Sequence, residues 1–169
     1  MKIEYKKDVQ GTKVTTPFPR EGQGGGVTGT ITFNTEGSAS MPDIDQDRIR
    51  QWVVAVAATY EKRVGTINYI FVDDERILEV NRQFLGHDYY TDIITFDYTQ
   101  GRILSGDLYI SLDTIRTNAE GIGVAYGQEL LRVVIHGVLH LCGINDKGPG
   151  EREIMEAAEN RALEILSQL

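Results

Sequence analysis

The segment that most constrains this chain is Gln128–Cys142, which is apolar on nearly every face once Glu129 and Arg132 are passed. A helix with that pattern has no side to leave in water and belongs in the middle of a domain. Gly143 ends it, since glycine takes the left-handed conformation that closes helices. The chain's 169 residues suit one domain around such a helix. With 41% hydrophobic and 25% charged residues, it has the composition of a chain that builds a core. The uncharged run Val133–Asn145 is well short of the roughly 20 residues that cross a bilayer, so no membrane span is expected.

Around that helix the punctuation reads as alternating short elements. Asp43-Ile44-Asp45-Gln46-Asp47 imitates the start of a calcium loop, but Arg48 and Val54 stand where that loop needs Gly and Glu. Helix capping is the better reading, with Ile49, Trp52, Val53 and Val56 at helical spacing to about Arg63. Thr66–Val72 alternates as a strand, and Asp73-Asp74 caps a second helix carrying Ile77, Leu78, Val80 and Phe84. Asp92–Tyr98 and Asp107–Ser111 read as neighbouring antiparallel strands around a turn at Gly101. A helix over about Asp113–Glu120 follows, and Glu151–Leu166 forms the final amphipathic helix.

Residues 1 to 30 are of different composition. Thr16-Pro17-Phe18-Pro19 and then Gly22, Gly24, Gly25, Gly26 and Gly29 offer little to a core, so this stretch is expected to be a flexible extension preceding a domain over residues 31–169. Gly24–Gly29 matches G-x-G-x-x-G formally, but Thr30-Ile31-Thr32-Phe33 after it has strand character where a dinucleotide site requires a helix.

Seventeen Lys and Arg against 25 Asp and Glu give a net charge of −8. Any nucleic-acid binding must therefore use a local patch. The single Cys142 forms no internal bridge, and Met1–Lys7 has no apolar secretion signal, so a cytoplasmic location is expected.

His136 and His140 stand four apart on the buried helix, which projects both rings from one face, and Asp146 follows beyond Gly143. The spacing H-x-x-x-H-x-x-G-x-x-D reproduces the long zincin pattern with Asp for its third His. One zinc ion per chain on His136, His140 and Asp146 is the expectation. Two hydrogen-bonded core histidines and an Asp146 that only stabilises the Asn145–Gly148 turn are the plainer alternative. Proteases of this pattern carry Glu after the first His as general base; here Gly137 stands there, which argues against proteolysis. Cys142, two residues from His140, points to another side of the helix and fills core.

The segment His136-Gly137-Val138-Leu139-His140-Leu141-Cys142-Gly143-Ile144-Asn145-Asp146 resembles the H-G-x-L-H-L-x-G-x-D-H motif of the YbeY rRNA-maturation endoribonucleases. The resemblance extends through Leu78–Phe84, Thr91–Phe96 and Gly106–Ser111, and to Met155 and Glu159 in M-x-x-x-E. It covers roughly Ile31 to the C-terminus. It implies a zincin-like α+β fold, a small mixed β-sheet packed with helices and a metal site on the buried helix. It also implies zinc-dependent cleavage of single-stranded RNA in small-subunit rRNA maturation and ribosome quality control, with the small ribosomal subunit and the Era GTPase as partners.

Two departures matter. The third family histidine falls on Asp146, with Asn145 where Asp is usual, and the family's catalytically implicated arginine falls on Leu85. The first keeps a metal ligand; the second removes a fixed charge for phosphate. His87, in place of the usual lysine, and Arg82 are the candidate substitutes for that charge. His136 and His140 are expected to act through a zinc-bound water, or the metal activates the RNA's own 2′-hydroxyl. Asp92 and Asp107 either orient ligands or cap strand starts. A ribosome-assembly factor with a structural zinc and little catalysis is the alternative function, and a zinc peptidase a more remote one.

Overall fold

The structure is a computed structural model that describes residues 3–7, 29–87 and 90–169. Five strands form one sheet: β1 (Ile3–Lys7), β2 (Thr30–Thr35), β3 (Arg63–Val72), β4 (Ile93–Asp97) and β5 (Ile103–Ser111). The helices are α1 (Gln46–Thr59), α2 (Asp74–Val80), α3 (Leu112–Ile122), α4 (Tyr126–Leu141) and α5 (Glu151–Ser167), and a π-helical turn, Asn81–Leu85, extends α2.

The sheet order is β1-β4-β5-β3-β2. β4 and β5 are antiparallel, while β1–β4, β3–β5 and β2–β3 are parallel. This is the small mixed sheet of an α+β fold, with the antiparallel pair expected from the Gly101 turn. Alternation along each strand divides the core. Ile67, Tyr69 and Phe71 of β3 pack with α1, α4 and α5. Ile70 and Val72 face the other way, with Ile94, Phe96 and Tyr109, beneath Ile77 and Val80 of α2.

The caps behave as their residue types dictate. Asp45 Oδ1 accepts the Arg48 N–H at 3.1 Å, Asp73 Oδ1 accepts that of Arg76 at 2.7 Å, and Ser111 Oγ that of Thr114 at 3.3 Å. α1 stops at Thr59, short of the expected Arg63, because Glu61 turns the chain with φ 57° and β3 starts at Arg63. That stop carries no glycine, so composition gave no sign of it.

Residues 1 to 30 were expected to stand apart from the domain. Ile3–Lys7 instead pairs along the outer edge of β4, Ile3 opposite Ile93 and Lys7 opposite Asp97, and Thr30 already belongs to β2. The Gly and Pro composition is a local signal, whereas pairing with a strand some ninety residues away uses backbone groups that every residue carries. The rest of the expected extension, residues 1–2 and 8–28, lies outside the described residues.

α4 lies on the sheet at two glycines. A Cβ on Gly137 would sit 2.9 Å from Ile93 Cδ1 and 3.1 Å from Leu108 Cδ1. A Cβ on Gly106 of β5 would sit 2.7 Å from the Phe96 carbonyl oxygen and 3.0 Å from Leu141 Cδ2. Side chains at either position would push helix and sheet apart. On its other side α4 meets α5, and the Tyr69 hydroxyl donates to the Val134 carbonyl at 3.0 Å, so the buried helix is held from both layers.

Candidate metal centre

The last two turns of α4 carry the site. His136 and His140 are both buried, and their Nε2 atoms lie 2.9 Å apart. Gly143, at φ 97°, reverses the chain, and the following loop returns Asp146 to the two rings. Its Oδ2 is 3.3 Å from His136 Nε2 and 3.6 Å from His140 Nε2. Among the described residues this is the group whose ligand atoms all lie within 4.8 Å of one another. Asp146 is the least buried of the three and marks the open side.

The ring nitrogens facing away are both engaged. His140 Nδ1 lies 2.9 Å from the Ile144 carbonyl oxygen, which only accepts, so Nδ1 carries the proton and Nε2 presents a lone pair. His136 Nδ1 lies 2.6 Å from Glu159 Oε2 and donates to it. Two imidazole lone pairs and a carboxylate oxygen thus converge on one point, where they repel unless a cation lies among them. In the metal-free chain a proton on His136 plays that part. Burial works against its charge, but the Asp146 and Glu159 carboxylates raise its pKa to about 9. Burial likewise raises Asp146, yet His136 and His140 outweigh it and hold its carboxyl well below the usual range.

The donor set fits a divalent metal. Two nitrogens and one carboxylate oxygen suit zinc, and ligand atoms at 2.0–2.1 Å from a tetrahedral zinc stand roughly 3.3 Å apart, near the two separations to Asp146. Three protein ligands leave a fourth position for water or substrate.

Other expected residues are placed elsewhere. Arg82 is exposed on the π-helical turn, and His87 follows Gly86, both on the α2 side of the sheet. Leu85 packs against the Ile70–Tyr109 cluster there. Cys142 caps α4 and packs against the core, as expected of a core-filling residue, and burial pushes its thiol up to about 12. Asp107 is not at a strand start: it sits within β5, where Oδ1 accepts from Asn68 Nδ2 at 2.9 Å. Asp92 does precede β4, fully buried, with a long 3.5 Å contact from Asn118 Nδ2. Burial raises its pKa to about 7 against the pull of His136.

Reading the sequence missed three participants. Glu159 was noticed only within M-x-x-x-E, although its place on the buried stripe Met155, Ala158 and Ala162 of α5 signals an inward carboxylate. The Ile144 carbonyl carries no side-chain signature. Glu129, one of the two charged residues on the otherwise apolar helix, is 2% exposed, and burial raises its pKa against the pull of Arg132.

The sequence profile of the endoribonuclease YbeY family matches residues 32–167. The chain belongs to the endoribonuclease YbeY family. A relative from Bacteroides thetaiotaomicron, named endoribonuclease YbeY, is 70% identical over 133 residues, covering 79% of this chain and 96% of its own. One of the same name from Bacteroides fragilis is 66% identical over 138 residues, covering 82% and 99%. The solution structure of a Thermotoga maritima protein aligns with TM-score 0.57 and 27% identity, over 81% of this chain and 89% of that one. YbeY membership thus agrees with the fold, and it makes the chain an enzyme of the nuclease class, a hydrolase of RNA phosphodiester bonds.

Proposed function

We propose that this protein is a zinc-dependent endoribonuclease of single-stranded RNA, acting in the cytoplasm in small-subunit rRNA maturation and ribosome quality control, with the small subunit and the Era GTPase as partners. The observation that carries the reading is the convergence of His136 Nε2, His140 Nε2 and Asp146 Oδ2 on one point, in a chain of this family. A zinc ion held there, one per chain, lowers the pKa of bound water and polarises a phosphoryl oxygen.

The chain's own residues divide the remaining work. His136 and His140, on consecutive turns of one rigid helix, define the site, and Asp146 adds the negative charge that selects a cation. Arg82 and His87 are the proposed phosphate contacts, since a chain of net charge −8 needs local cations to receive RNA. Gly137 provides no general base, and the closeness of Ile93 and Leu108 leaves no room for one, so the peptidase reading has no support.

The test is metal analysis coupled to cleavage of a defined RNA, with wild type set beside a folded His136→Ala. Wild type with one zinc should cut single strands and spare duplex, and His136→Ala should lose both metal and cleavage. A 2′,3′-cyclic phosphate end identifies attack by the RNA's own 2′-hydroxyl. A zinc-loaded, folded wild type that leaves single-stranded RNA intact turns the reading into an assembly factor with a structural zinc.

A further inference from the structure

We propose that Glu159, aimed by Arg132, is a positioning residue that sets the affinity of the site for its metal by fixing the ring of His136. The inference rests on the metal reading above and deepens it.

The pair connects two helices. Arg132 stands one turn before His136 on α4, and Glu159 and Asn160 are neighbours on α5. The Glu159 carboxylate is divided between two partners: Oε2 lies 2.6 Å from His136 Nδ1, and Oε1 accepts from an Arg132 terminal nitrogen at 3.0 Å. The second terminal nitrogen of Arg132 donates to Asn160 Oδ1 at 3.1 Å. The guanidinium fork is thus anchored on consecutive α5 residues, and the carboxylate beside it cannot swing away from the ring.

This arrangement does three things to His136. It holds a ring proton on Nδ1, so that Nε2 is the nitrogen turned to the metal position. It restrains rotation about the terminal side-chain torsion. It also places a negative charge behind the ring, which strengthens Nε2 as a donor. On the other ligand, His140 Nδ1 meets the neutral Ile144 carbonyl at 2.9 Å. The donor strength of His136 therefore depends on a distant part of the chain.

The competing explanation is a plain tie between α4 and α5, and the two part company in what they move. A tie affects melting of the metal-free protein; a positioning residue affects metal affinity at unchanged fold. The experiment measures zinc dissociation constants by competition with a chromophoric chelator for wild type, Glu159→Gln, Glu159→Ala and Arg132→Met. Melting curves of the metal-free proteins and 15N NMR of the His136 ring in the zinc-loaded state accompany it. Glu159→Ala should bind zinc about 10- to 100-fold more weakly, the usual cost of losing such a partner. Glu159→Gln, which keeps an acceptor but no charge, should fall between, and Arg132→Met should weaken binding several-fold. The hydrogen-bonded Nδ1–H signal should be lost in Glu159→Ala.

Zinc affinities within twofold of wild type in folded Glu159→Gln and Glu159→Ala overturn the proposal. Where Glu159→Ala does not fold, the isosteric Glu159→Gln decides: unchanged affinity overturns it, and weakened affinity at unchanged melting supports it. Wild type that binds no zinc removes this proposal together with the metal reading, whereas tight wild-type binding with silent variants removes this proposal alone.

Discussion

His140 and Ile144 are joined across the end of α4: the ring Nδ1 donates to the Ile144 carbonyl at 2.9 Å, over a chain reversal made at Gly143. The same reversal holds one ligand's ring and returns the third ligand, Asp146, to the site. Its φ of 97° lies where a Cβ is strained, although the space around it is open. Gly143→Ala should therefore cost about 1–2 kcal/mol in urea unfolding and weaken metal binding together with stability. Full stability and full affinity would mean that the turn tolerates a different geometry.

The three ligands should not be equal in their losses. His136→Ala and His140→Ala each remove a nitrogen donor and should abolish zinc retention at limiting metal, whereas Asp146→Asn keeps an oxygen without its charge and should weaken binding less. Zinc content after gel filtration checks this. Unchanged stoichiometry in His140→Ala would sink the assignment.

The metal-free and metal-loaded proteins should respond to pH in opposite ways. His136 rises from its ordinary 6.5 to about 9, so the stability it contributes is complete below about 6.5 and lost as pH rises through 9. Asp92, raised to about 7, acts in the same direction, because burial favours its neutral form and the unfolded chain ionises near 3.8. Asp146 is lowered, and its contribution, present above 3.8, is lost as pH falls through its depressed pKa. The melting temperature of the metal-free protein should thus fall from pH 6 to pH 9. Metal must displace the His136 proton, so zinc affinity should rise over that range, by up to about tenfold per pH unit for one proton. A pH-independent affinity below pH 9 would contradict the protonated His136.

Gly137→Glu restores the residue that zinc proteases carry after the first histidine, and it should unfold the protein rather than create a peptidase. The new side chain would start 2.9 Å from Ile93 Cδ1 and 3.1 Å from Leu108 Cδ1 and bring a carboxylate into the core. A cost of about 3 kcal/mol or more follows from overpacking and burial of charge. A stably folded Gly137→Glu measured by urea denaturation would show that α4 can lift from the sheet.

Leu85→Arg should recover a phosphate contact if RNA touches Arg82 and His87, as we propose. Leu85 is half-buried against the Ile70–Tyr109 cluster, and an arginine there can lie its stem on that surface with its head in water. The slope of log affinity for single-stranded RNA against log salt should steepen by about 0.7, one contact, and cleavage should rise. Silence of Leu85→Arg, Arg82→Ala and His87→Ala alike would move the RNA path elsewhere.

Short-range patterns in the chain were enough for the parts of this protein whose physics is short-range. The caps at Asp45 and Asp73, the burial of α4, the stop at Gly143 and the meeting of His136, His140 and Asp146 all involve residues within a few turns of one another, where spacing along a helix and the conformational freedom of glycine decide the outcome. Other features had to wait for tertiary structure. The pairing of Ile3–Lys7 with β4, the Asn68–Asp107 hydrogen bond, the burial of Glu129, and the Arg132–Glu159–His136 contacts join segments distant in the chain or depend on what covers a helix face. Gly137 shows both sides at once. Its identity removed a general base on sight, but the reason for a glycine there is the distance between α4 and the side chains of Ile93 and Leu108, which packing sets and local sequence does not.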